Sequence, residues 1–379
     1  MSDNDFNEYE AFRDIVRRLS DEKLKPYAAE VDRDSSVPQI GLDALREAGI
    51  WELLIPESRG GPGADLMMQS IVCEETARAC ATTQVMLSSI WAMIDTVSRY
   101  GSDEIFNTVL EDMRKGAGGA WCYTEPGGGS DLAALKTKAA KTEKGWVLNG
   151  QKRFITNGSW ADWYCVLARL DEERMSVFLV HRDDPGVSFG ALEKKMGFRG
   201  SPTCDVILEN CEIGSDRLMG EEGSGWDIAI STLVESRTHV ASQGLGIAQA
   251  ALDEAVAYTK ERVAFGRPVA NFQMVRGMLA DMAIKVESSR ALLHKALELM
   301  HTKPEQAASQ AAMAKVLCTD TAMSVAVDAV QLHGGYGYLQ DYPVERIMRD
   351  AKITQIWEGT NQIQRMIIAK DLIGHSSRG

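Results

Sequence analysis

The sequence lacks the patterns that indicate a disulfide scaffold, a metalloprotein or a membrane protein. Its seven cysteines are scattered, odd in number and without a C-x-x-C pair, which predicts a reducing, cytoplasmic setting rather than a disulfide framework. The six histidines form no H-x-x-x-H or H-E-x-x-H pattern, so no metal site is expected. No apolar run approaches the roughly 18 residues that a membrane span requires.

Positive charge is also in short supply. The 41 Lys and Arg residues against 54 Asp and Glu leave a net charge of −13, which disfavours a nucleic-acid partner, because such proteins neutralise phosphates with cations. The acidic start, MSDNDFNEYE, is unlike a secretory signal, which begins with basic residues. Neither a G-x-G-x-x-G fingerprint nor a P-loop occurs. The 379 residues, 45% of them apolar, predict a globular protein of two or three domains, at roughly 150 residues each.

The first two segments of the chain differ in periodicity. Residues 1–116 show helical spacing of apolar residues and a long apolar stretch over 67–97, which predicts an N-terminal α-helical domain. Residues 117–222 contain short β-rich runs between turn residues. The pairs Asn149-Gly150 and Asn157-Gly158 are each typical of a two-residue hairpin. This segment therefore predicts an antiparallel β-barrel or sandwich.

Helical periodicity returns in the third segment, residues 223–379. Four candidate helices lie there, at 247–263, 272–300, 305–332 and 361–373, and they predict a C-terminal four-helix bundle. The resulting fold class is α+β multidomain, in the order α, β, α. The absence of β-α-β alternation disfavours a doubly wound nucleotide-binding fold.

Two segments are rich in glycine and carry candidate binding residues. In CYTEPGGGSD (122–131) consecutive small residues can present backbone N–H groups to an anionic or polar ligand, with Thr124, Gly129 and Ser130 as the hydrogen-bonding positions. A flexible turn between domains is the alternative. HGGYGYLQDYPVERIMRD (333–350) has three glycines in four residues, which permits close approach of a ligand or another subunit. It is otherwise a helix connection with a glycine cap.

The run KRFITNG (152–158) places Phe154 and Thr156 two residues apart, and therefore on one face of a strand. An aromatic ring and a hydroxyl on one face can stack on and hydrogen-bond a planar heterocycle. The alternative is an ordinary hairpin with one aromatic residue in the core.

A single carboxylate stands out in IWEGTNQIQR (356–365). Glu358 follows two apolar residues and precedes Thr360, a typical N-cap for the helix predicted after it. A glutamate near a helix start often makes only a favourable charge–dipole contact. In apolar surroundings, however, it can also serve as a catalytic base.

Four motifs, in the same order and spacing, resemble the acyl-CoA dehydrogenase family over nearly the whole chain. They are YTEPGGGSD, FITNGSWADWY, RVAFGRPVANFQ and QLHGGYGY followed by YPVERIMRDAKITQIWEGTNQIQR. The resemblance implies FAD, held between the middle β domain and the C-terminal helices. It also implies an oligomer, expected to be a homotetramer built as a dimer of dimers, because part of the cofactor site comes from a neighbouring subunit.

The resemblance assigns cofactor contacts to particular residues. The flavin and the thioester arm of the substrate are expected to be lined by Trp121, Tyr123, Thr124, Gly129 and Ser130. The isoalloxazine ring is expected between Phe154, where many members have Trp, and Thr156. The neighbouring subunit is expected to bind the pyrophosphate and adenosine through Arg262, Phe265, Gln273, Gln331 and Gly335, and Thr360 and Gln362 also match nucleotide-binding positions. Arg262 has a clear physical role, since a diphosphate needs a cation in so acidic a protein.

Glu358 corresponds to the catalytic base of the family. The expected reaction is α,β-dehydrogenation of an acyl-CoA, in which Glu358 takes the Cα proton, a hydride leaves Cβ for flavin N5, and an electron-transferring flavoprotein accepts the electrons. Some members take the base from an earlier helix, directly before an arginine. Here that position is Ser236, before Arg237, and Glu235 lies one place off, about 100° around the helix. This favours Glu358 as the base and places Arg237 facing the active site.

The family's acyl pocket is lined partly by the helix over 82–97 and by residues beside the base. The expected substrate contacts, besides Ser130 and Arg237, are Gln84, Ser88, Trp91, Trp357 and Gly359. A tryptophan where a smaller ring would fit shortens the pocket, which predicts short, branched or compact acyl groups, unless Trp91 faces the domain core. An acyl-CoA oxidase or flavin monooxygenase of the same fold, and a catalytically silent scaffold, are the alternative functions.

Overall fold

Helices form the N-terminal part of the chain, as the periodicity predicted. The computed structural model describes residues 3–374, with side chains from residue 7 onward. The helices are α1 (Asp3–Lys23), α2 (Ala28–Asp34), α3 (Gln39–Glu47), α4 (Leu66–Tyr100) and α5 (Asp103–Arg114). Helix α4 begins where Asp65 caps it by accepting a hydrogen bond from the Met68 N–H. It is buried on almost every face, and its only non-helical residue is Cys80.

The middle of the chain forms one mainly antiparallel sheet. Its strands are β1 (Gly119–Cys122), β2 (Lys138–Lys141), β3 (Gly145–Thr156), β4 (Trp163–Arg169), β5 (Met175–His181), β6 (Val187–Phe189), β7 (Thr203–Gly214) and β8 (Leu218–Met219). The order is β6-β7-β3-β2-β4-β5-β8, with β1 added beside β4, and only β1 and β2 pair with β4 in parallel. The predicted β architecture is thus confirmed.

Strand β4 is buried on both faces, because its alternate side chains enter two different apolar cores. Its alternate residues Tyr164 and Val166 enter an apolar core enclosed by the sheet itself, together with Leu148 of β3. Trp163 and Cys165 point to the opposite side and join the core of the helices. The sheet therefore packs directly against the N-terminal helices.

The hairpin predictions at the two Asn-Gly pairs were wrong. Asn149 and Gly150 lie inside β3, at a shift in its register against β7, because Gly150 serves a bulge rather than a turn. Asn157 and Gly158 do follow the end of β3, but the next strand, β4, is not its hydrogen-bonded neighbour. Asn157 takes a left-handed conformation (φ 63°) and donates from its buried side chain to two backbone carbonyls.

The C-terminal part is helical, as predicted, but its helices differ in extent. They are α6 (Gly225–Glu261), α7 (Gln273–Thr302), α8 (Ala307–His333), α9 (Pro343–Thr354) and α10 (Asn361–Ile373). A short hairpin, β9 (Val263–Ala264) and β10 (Arg267–Pro268), joins α6 to α7. Helix α9 was not among the four predicted helices, and α6 begins at Gly225 rather than at residue 247. Within residues 3–374, no helix is long and apolar enough to cross a membrane.

The predicted helix began directly after two glycines, Gly244 and Gly246, that lie inside α6. Gly246 approaches α4 so closely that a Cβ there would lie 2.2 Å from the carbonyl oxygen of Glu74. Gly244 approaches the backbone of α8 less closely, and a Cβ there would lie 3.1 Å from the carbonyl oxygen of Cys318. Both glycines weaken the helix locally but let three long helices meet, which explains their presence in a buried helix.

Candidate active site

Glu358 lies in the connection between α9 and α10, held at both its backbone and its side chain. Its φ of 51° is left-handed, a conformation that costs on the order of 1–3 kcal/mol outside glycine and is concentrated at functional sites. The Ser236 hydroxyl of α6 donates to Glu358 Oε2 at 2.7 Å. The Gln364 side-chain amide of α10 donates to the Glu358 carbonyl oxygen at 3.0 Å.

A cation and a phenol accompany this carboxylate. Arg237 is only 7% exposed, and its Nε has no hydrogen-bond partner in the described part of the chain. Burial lowers the pKa of Arg237, while the negative charge of Glu358 opposes that shift. Burial, reinforced by the charge of Glu358, raises the pKa of Tyr123 well above its usual range. Tyr123 also stacks on Trp121, with ring centroids 3.9 Å apart. The structure thus brings together residues from β1, α6 and the α9–α10 connection.

The neighbouring acidic residue on α6 faces elsewhere. Both carboxylate oxygens of Glu235 accept hydrogen bonds from Arg99 of α4, at 2.8 and 2.9 Å. Ser236, one residue further, is the α6 residue that contacts Glu358. This matches the rotation of about 100° per residue expected along a helix.

A buried ion pair, which sequence reasoning missed, anchors the segment 122–131. The Lys152 ammonium of β3 is fully buried and donates to Glu125 Oε1 at 2.8 Å, and the same oxygen accepts from the Thr137 N–H. Burial lowers the pKa of Lys152, and the charge of Glu125 opposes the shift. The sequence signal that could have revealed this pair is Lys152 itself, a charged residue at an inward-facing position of a strand with alternating burial. Beyond this anchor the segment is open: Thr124 is half-buried, and Gly129 and Ser130 are exposed.

Phe154 and Thr156 lie where β3 loses its regular register against β7. Phe154 has a left-handed φ of 58° and is 56% exposed, whereas Ile155 beside it is buried in the sheet core. The Arg153 guanidinium lies 4.7 Å from the centre of the Phe154 ring. Thr156 is half-buried. An aromatic ring is therefore presented at the surface by a bulge, which alternation alone does not predict.

A cleft of about 630 Å³ lies at the far end of α6, beside the α8 terminus. Three predicted cofactor residues line it, namely Arg262, Gln331 and Gly335. The Arg262 guanidinium lies 5.2 Å from the ring centre of Tyr336, and a Cβ built on Gly335 would meet no atom within 4 Å. The cleft thus combines a cation, an aromatic ring and accessible backbone.

Two further predicted residues lie close to this cleft in the chain. Phe265 occupies the turn of the β9–β10 hairpin with a φ of 50° and is 95% exposed, and Gln273 is the exposed first residue of α7. The cleft is far from Glu358 within one chain. Arg237 lies in the first half of α6 and Arg262 directly follows its last residue, so the two are roughly 37 Å apart at 1.5 Å per residue. The predicted site residues therefore form two separate groups.

Thr360 and Gln362 lie at the start of α10. The Thr360 hydroxyl accepts a hydrogen bond from the Ile363 N–H at 3.2 Å, so the predicted N-cap is confirmed. Gln362 is exposed in the first turn.

Comparison with known protein families matches nearly the whole chain to three domains of one family. Three domain descriptions match it in order: "Acyl-CoA dehydrogenase, N-terminal domain" over residues 7–117, "middle domain" over 120–211 and "C-terminal domain" over 223–373. The chain belongs to the acyl-CoA dehydrogenase family. It is therefore an oxidoreductase, and the family indicates a flavin cofactor.

Individual relatives are similar over almost their full length. A probable acyl-CoA dehydrogenase of Mycobacterium tuberculosis is 42% identical over 371 residues, covering 97% of this chain and 95% of the relative. A cyclohex-1-ene-1-carbonyl-CoA dehydrogenase of Syntrophus aciditrophicus is 41% identical over 372 residues, covering 97% and 90%. The structure of butyryl-CoA dehydrogenase from Megasphaera elsdenii superposes with a TM-score of 0.91 at 36% identity, covering 98% and 99%.

Residues predicted to line the acyl pocket lie on α4, and Gln84 and Ser88 are found where α4 meets α6. Gln84 is buried there and donates to the Ser88 hydroxyl at 2.7 Å, while Gln243 of α6 donates to the Gln84 side-chain oxygen. Trp91 does not share this polar cluster. It is fully buried and donates to the carbonyl oxygen of Ile50 at 2.8 Å, so it faces the helical core, as the alternative interpretation had it.

Trp357 and Gly359 flank Glu358 on either side. The half-buried Trp357 ring packs edge-on against Phe198 of the β6–β7 connection, with centroids 4.9 Å apart. The Phe198 N–H in turn donates to the buried Asp350 carboxylate at 2.6 Å. Gly359 has a left-handed φ of 83°, and a Cβ there would lie 2.5 Å from the Gln364 amide nitrogen. The residues around the base are thus tied to both the β domain and α10.

Proposed function

We propose that this enzyme catalyses the FAD-dependent α,β-dehydrogenation of an acyl-CoA thioester to the trans-2-enoyl-CoA, with Glu358 as the base. The observation that carries the proposal is the Glu358 carboxylate itself. It is oriented by the Ser236 hydroxyl at 2.7 Å, and its charge acts on Arg237 and Tyr123. A carboxylate held in one orientation by a hydroxyl is placed to take a proton from a bound substrate.

The backbone of Glu358 supplies a second catalytic group. Its N–H donates to no acceptor within residues 3–374, whereas the N–H groups of Ile356 and Trp357, directly before it, both donate to the Ile353 carbonyl oxygen of α9. An unpaired donor beside the base can hydrogen-bond the thioester carbonyl and stabilise the negative charge that develops on it. One residue thus provides both the proton acceptor and the stabilising donor.

The described residues fit a flavin dinucleotide. When bound, the flavin supplies the acceptor of the Cβ hydride. Around the ring system, the residues proposed to hold it are Trp121, Tyr123, Thr124, Gly129, Ser130, Phe154 and Thr156. The open backbone of Gly127 and Gly128, where a Cβ would meet no atom within 4 Å, leaves room for a ligand beside that segment.

The pyrophosphate and adenosine are proposed to reach the 630 Å³ cleft of a second copy. Its residues Arg262, Phe265, Gln273, Gln331 and Gly335 would hold them. Thr360 and Gln362, at the start of α10 close to Glu358 in the chain, are proposed as further nucleotide contacts. The separation of roughly 37 Å between the two groups along α6 supports a contribution from two subunits. We accordingly propose a homotetramer, built as a dimer of dimers.

The substrate is proposed to be a short or compact acyl-CoA. The bulky Trp357 ring directly precedes the base and packs on Phe198, and Gln84 and Ser88 place polar groups in the buried α4–α6 interface, which supports a compact acyl group. The relatives named for cyclohex-1-ene-1-carbonyl-CoA and butyryl-CoA act on compact groups of this kind. Butyryl-CoA and cyclohex-1-ene-1-carbonyl-CoA are the first compounds to test.

Anaerobic flavin bleaching tests the assignment of the base. Glu358→Gln should bind acyl-CoA and retain flavin, yet reduce the flavin about 10²–10⁴-fold more slowly, the usual contribution of a general base. Glu235→Gln is the matched control, since Glu235 pairs with Arg99, and it should keep nearly the parent rate. A parent rate in Glu358→Gln would refute the assignment.

The electron acceptor distinguishes the dehydrogenase from an oxidase or monooxygenase of the same fold. We propose an electron-transferring flavoprotein as acceptor, in a reducing cytoplasm where the seven buried thiols stay free. Substrate-reduced enzyme should then be reoxidised slowly by oxygen and rapidly by that protein. Rapid reaction with oxygen would favour the oxidase, and a colourless protein that takes up no flavin would favour the silent scaffold.

A further inference from the structure

A lysine of α8 is buried beneath the connection that carries Glu358. Lys315 is fully buried, and its Nζ donates to the carbonyl oxygen of Gly359 at 3.0 Å and to Asn361 Oδ1 at 2.8 Å. Both acceptors lie within three residues of Glu358. Burying an ammonium group is unfavourable unless it is hydrogen-bonded, so these two hydrogen bonds are what stabilise Lys315 at this position.

Further bonds from the same turn of α8 secure the other end of the connection. The Asn361 side-chain amide donates to the Thr319 hydroxyl at 2.9 Å and to Asp320 Oδ1 at 2.8 Å. Lys315 and Thr319 are four residues apart and therefore lie on one helix face, and Asp320 directly follows Thr319. Asn361 is thus fixed against α8 by three side chains.

The backbone at Glu358 and Gly359, between these hydrogen bonds, has an intrinsically unfavourable conformation. Glu358 and Gly359 both have left-handed φ angles, of 51° and 83°. Such conformations persist only where surrounding contacts determine them. Two donors meet at the Gly359 carbonyl oxygen, the Lys315 ammonium and the Gln364 amide, the latter at 3.1 Å. Lys315 is the one that comes from outside α10.

The charges agree with this geometry. Burial lowers the pKa of Lys315 to about 7, while the negative charge of Glu358 opposes the shift and the positive charge of Arg237 adds to it. The base therefore interacts electrostatically with two cations on different helices, Arg237 of α6 and Lys315 of α8.

We propose that Lys315 is a positioning residue that, with Asn361, holds the Glu358 connection in the conformation in which the carboxylate removes a proton. This inference rests on the proposed role of Glu358 as the base. Lys315 acts through the Gly359 carbonyl and touches neither substrate nor flavin. Its removal should slow proton abstraction and leave acyl-CoA affinity unchanged.

The test is flavin reduction in single turnovers, normalised to bound flavin, with butyryl-CoA or cyclohex-1-ene-1-carbonyl-CoA, whichever reduces the parent faster. Lys315→Met should lower the rate at saturating substrate by 10- to 100-fold, with little change in the half-saturating concentration. In the Glu358→Gln background the same substitution should cause no further loss, because the group that it positions is gone. Lys285→Met, which removes a half-exposed lysine between α7 and α8, is the matched control and should leave the rate unchanged.

Each outcome is decisive. An unchanged rate in Lys315→Met, or an equal fall in both backgrounds, overturns the inference, since the latter indicates a general defect in flavin or substrate binding. If Lys315→Met is not recovered as folded flavoprotein, Asn361→Ala tests the same anchor and should show the same dependence on Glu358. If Glu358→Gln itself keeps the parent rate, the proposed base is wrong. If Glu358→Gln is slow but Lys315→Met is not, only the present inference fails.

Discussion

Individual residues at the site adopt conformations that their side chains disfavour. Among the described residues, seven other than glycine have positive φ, and three of these, Phe154, Phe265 and Glu358, were predicted as site residues. Bulky side chains rarely adopt this region, and it is associated with functional sites. The motifs therefore located these residues, but their backbone conformation depends on contacts from distant elements, such as Gln364 on Glu358, which are not visible in the sequence.

Ser236 should affect the rate through Glu358. Ser236→Ala removes the hydroxyl that donates to Glu358 Oε2, and a hydrogen bond to a charged group contributes about 1.5 kcal/mol. If that orientation is needed in the transition state, flavin reduction should slow about 10-fold, with flavin content unchanged.

Stopped-flow measurement of flavin bleaching checks this prediction. Ser288→Ala is the control, because Ser288 is exposed on α7 and, among residues 3–374, its hydroxyl bonds only to backbone carbonyls of its own helix. Equal rates for Ser236→Ala and the parent would mean that Glu358 is oriented by its backbone alone.

At the scale of elements, periodicity identified the long helices and the β region but misjudged their limits. The limits of α10 were predicted as observed, because its cap and periodicity are both local features. The start of α6 was predicted at residue 247 rather than 225, directly after two glycines that pack against α4 and α8. Asn149-Gly150 resembled a hairpin because the same pair suits a turn and a bulge, and only the partner strand distinguishes the two.

Gly150 should be intolerant of substitution for this reason. A Cβ there would lie 2.4 Å from the Thr137 hydroxyl oxygen and 2.7 Å from the Thr137 Cα, so backbone must move. Gly150→Ala should lower the free energy of unfolding by about 1–3 kcal/mol, as overpacking does.

Chemical denaturation of the two alanine variants provides the comparison. Gly277→Ala, at an exposed position of α7 with no atom within 4 Å of the added Cβ, should raise the free energy of unfolding by up to about 1 kcal/mol. Similar effects from both substitutions would contradict the bulge interpretation.

At the scale of the whole molecule, one buried carboxylate links the C-terminal helices to the β domain. Asp350 of α9 accepts from the Phe198 N–H, and Phe198 packs on Trp357 beside the base. The family motif included Asp350, but nothing local in it indicated a partner 152 residues away. Contacts between domains could not be predicted from one sequence.

The predicted domain limits, 1–116, 117–222 and 223–379, remain predictions.

Asp350 should make the stability of the enzyme depend on pH. Burial raises its pKa from 3.8 to about 7, so between these values the folded protein holds a proton that the unfolded chain releases. Stability contributed by this group is therefore full below about pH 4 and is lost as the pH rises towards 7, with a slope of up to about 1.4 kcal/mol per pH unit.

Asp350→Asn removes this titration while keeping an oxygen that can accept from Phe198. Relative to the parent, the variant should gain unfolding free energy between pH 5 and pH 7, measured by denaturant titration at each pH. Asp281→Asn, an exposed position on α7, should run parallel to the parent. Parallel curves for Asp350→Asn as well would show that Asp350 is ionised in the folded protein.

The length of helix α6 sets the distance between two groups of site residues, which constrains how the enzyme can evolve or be engineered. Ser236 and Arg237 lie towards one end and Arg262 at the other, joined by unbroken helix. A single inserted or deleted residue between them would turn one end by about 100° and shift it by 1.5 Å relative to the other. Substitutions along α6 can accumulate, whereas changes in its length would misalign two sites at once, so length variation should be confined to the loops.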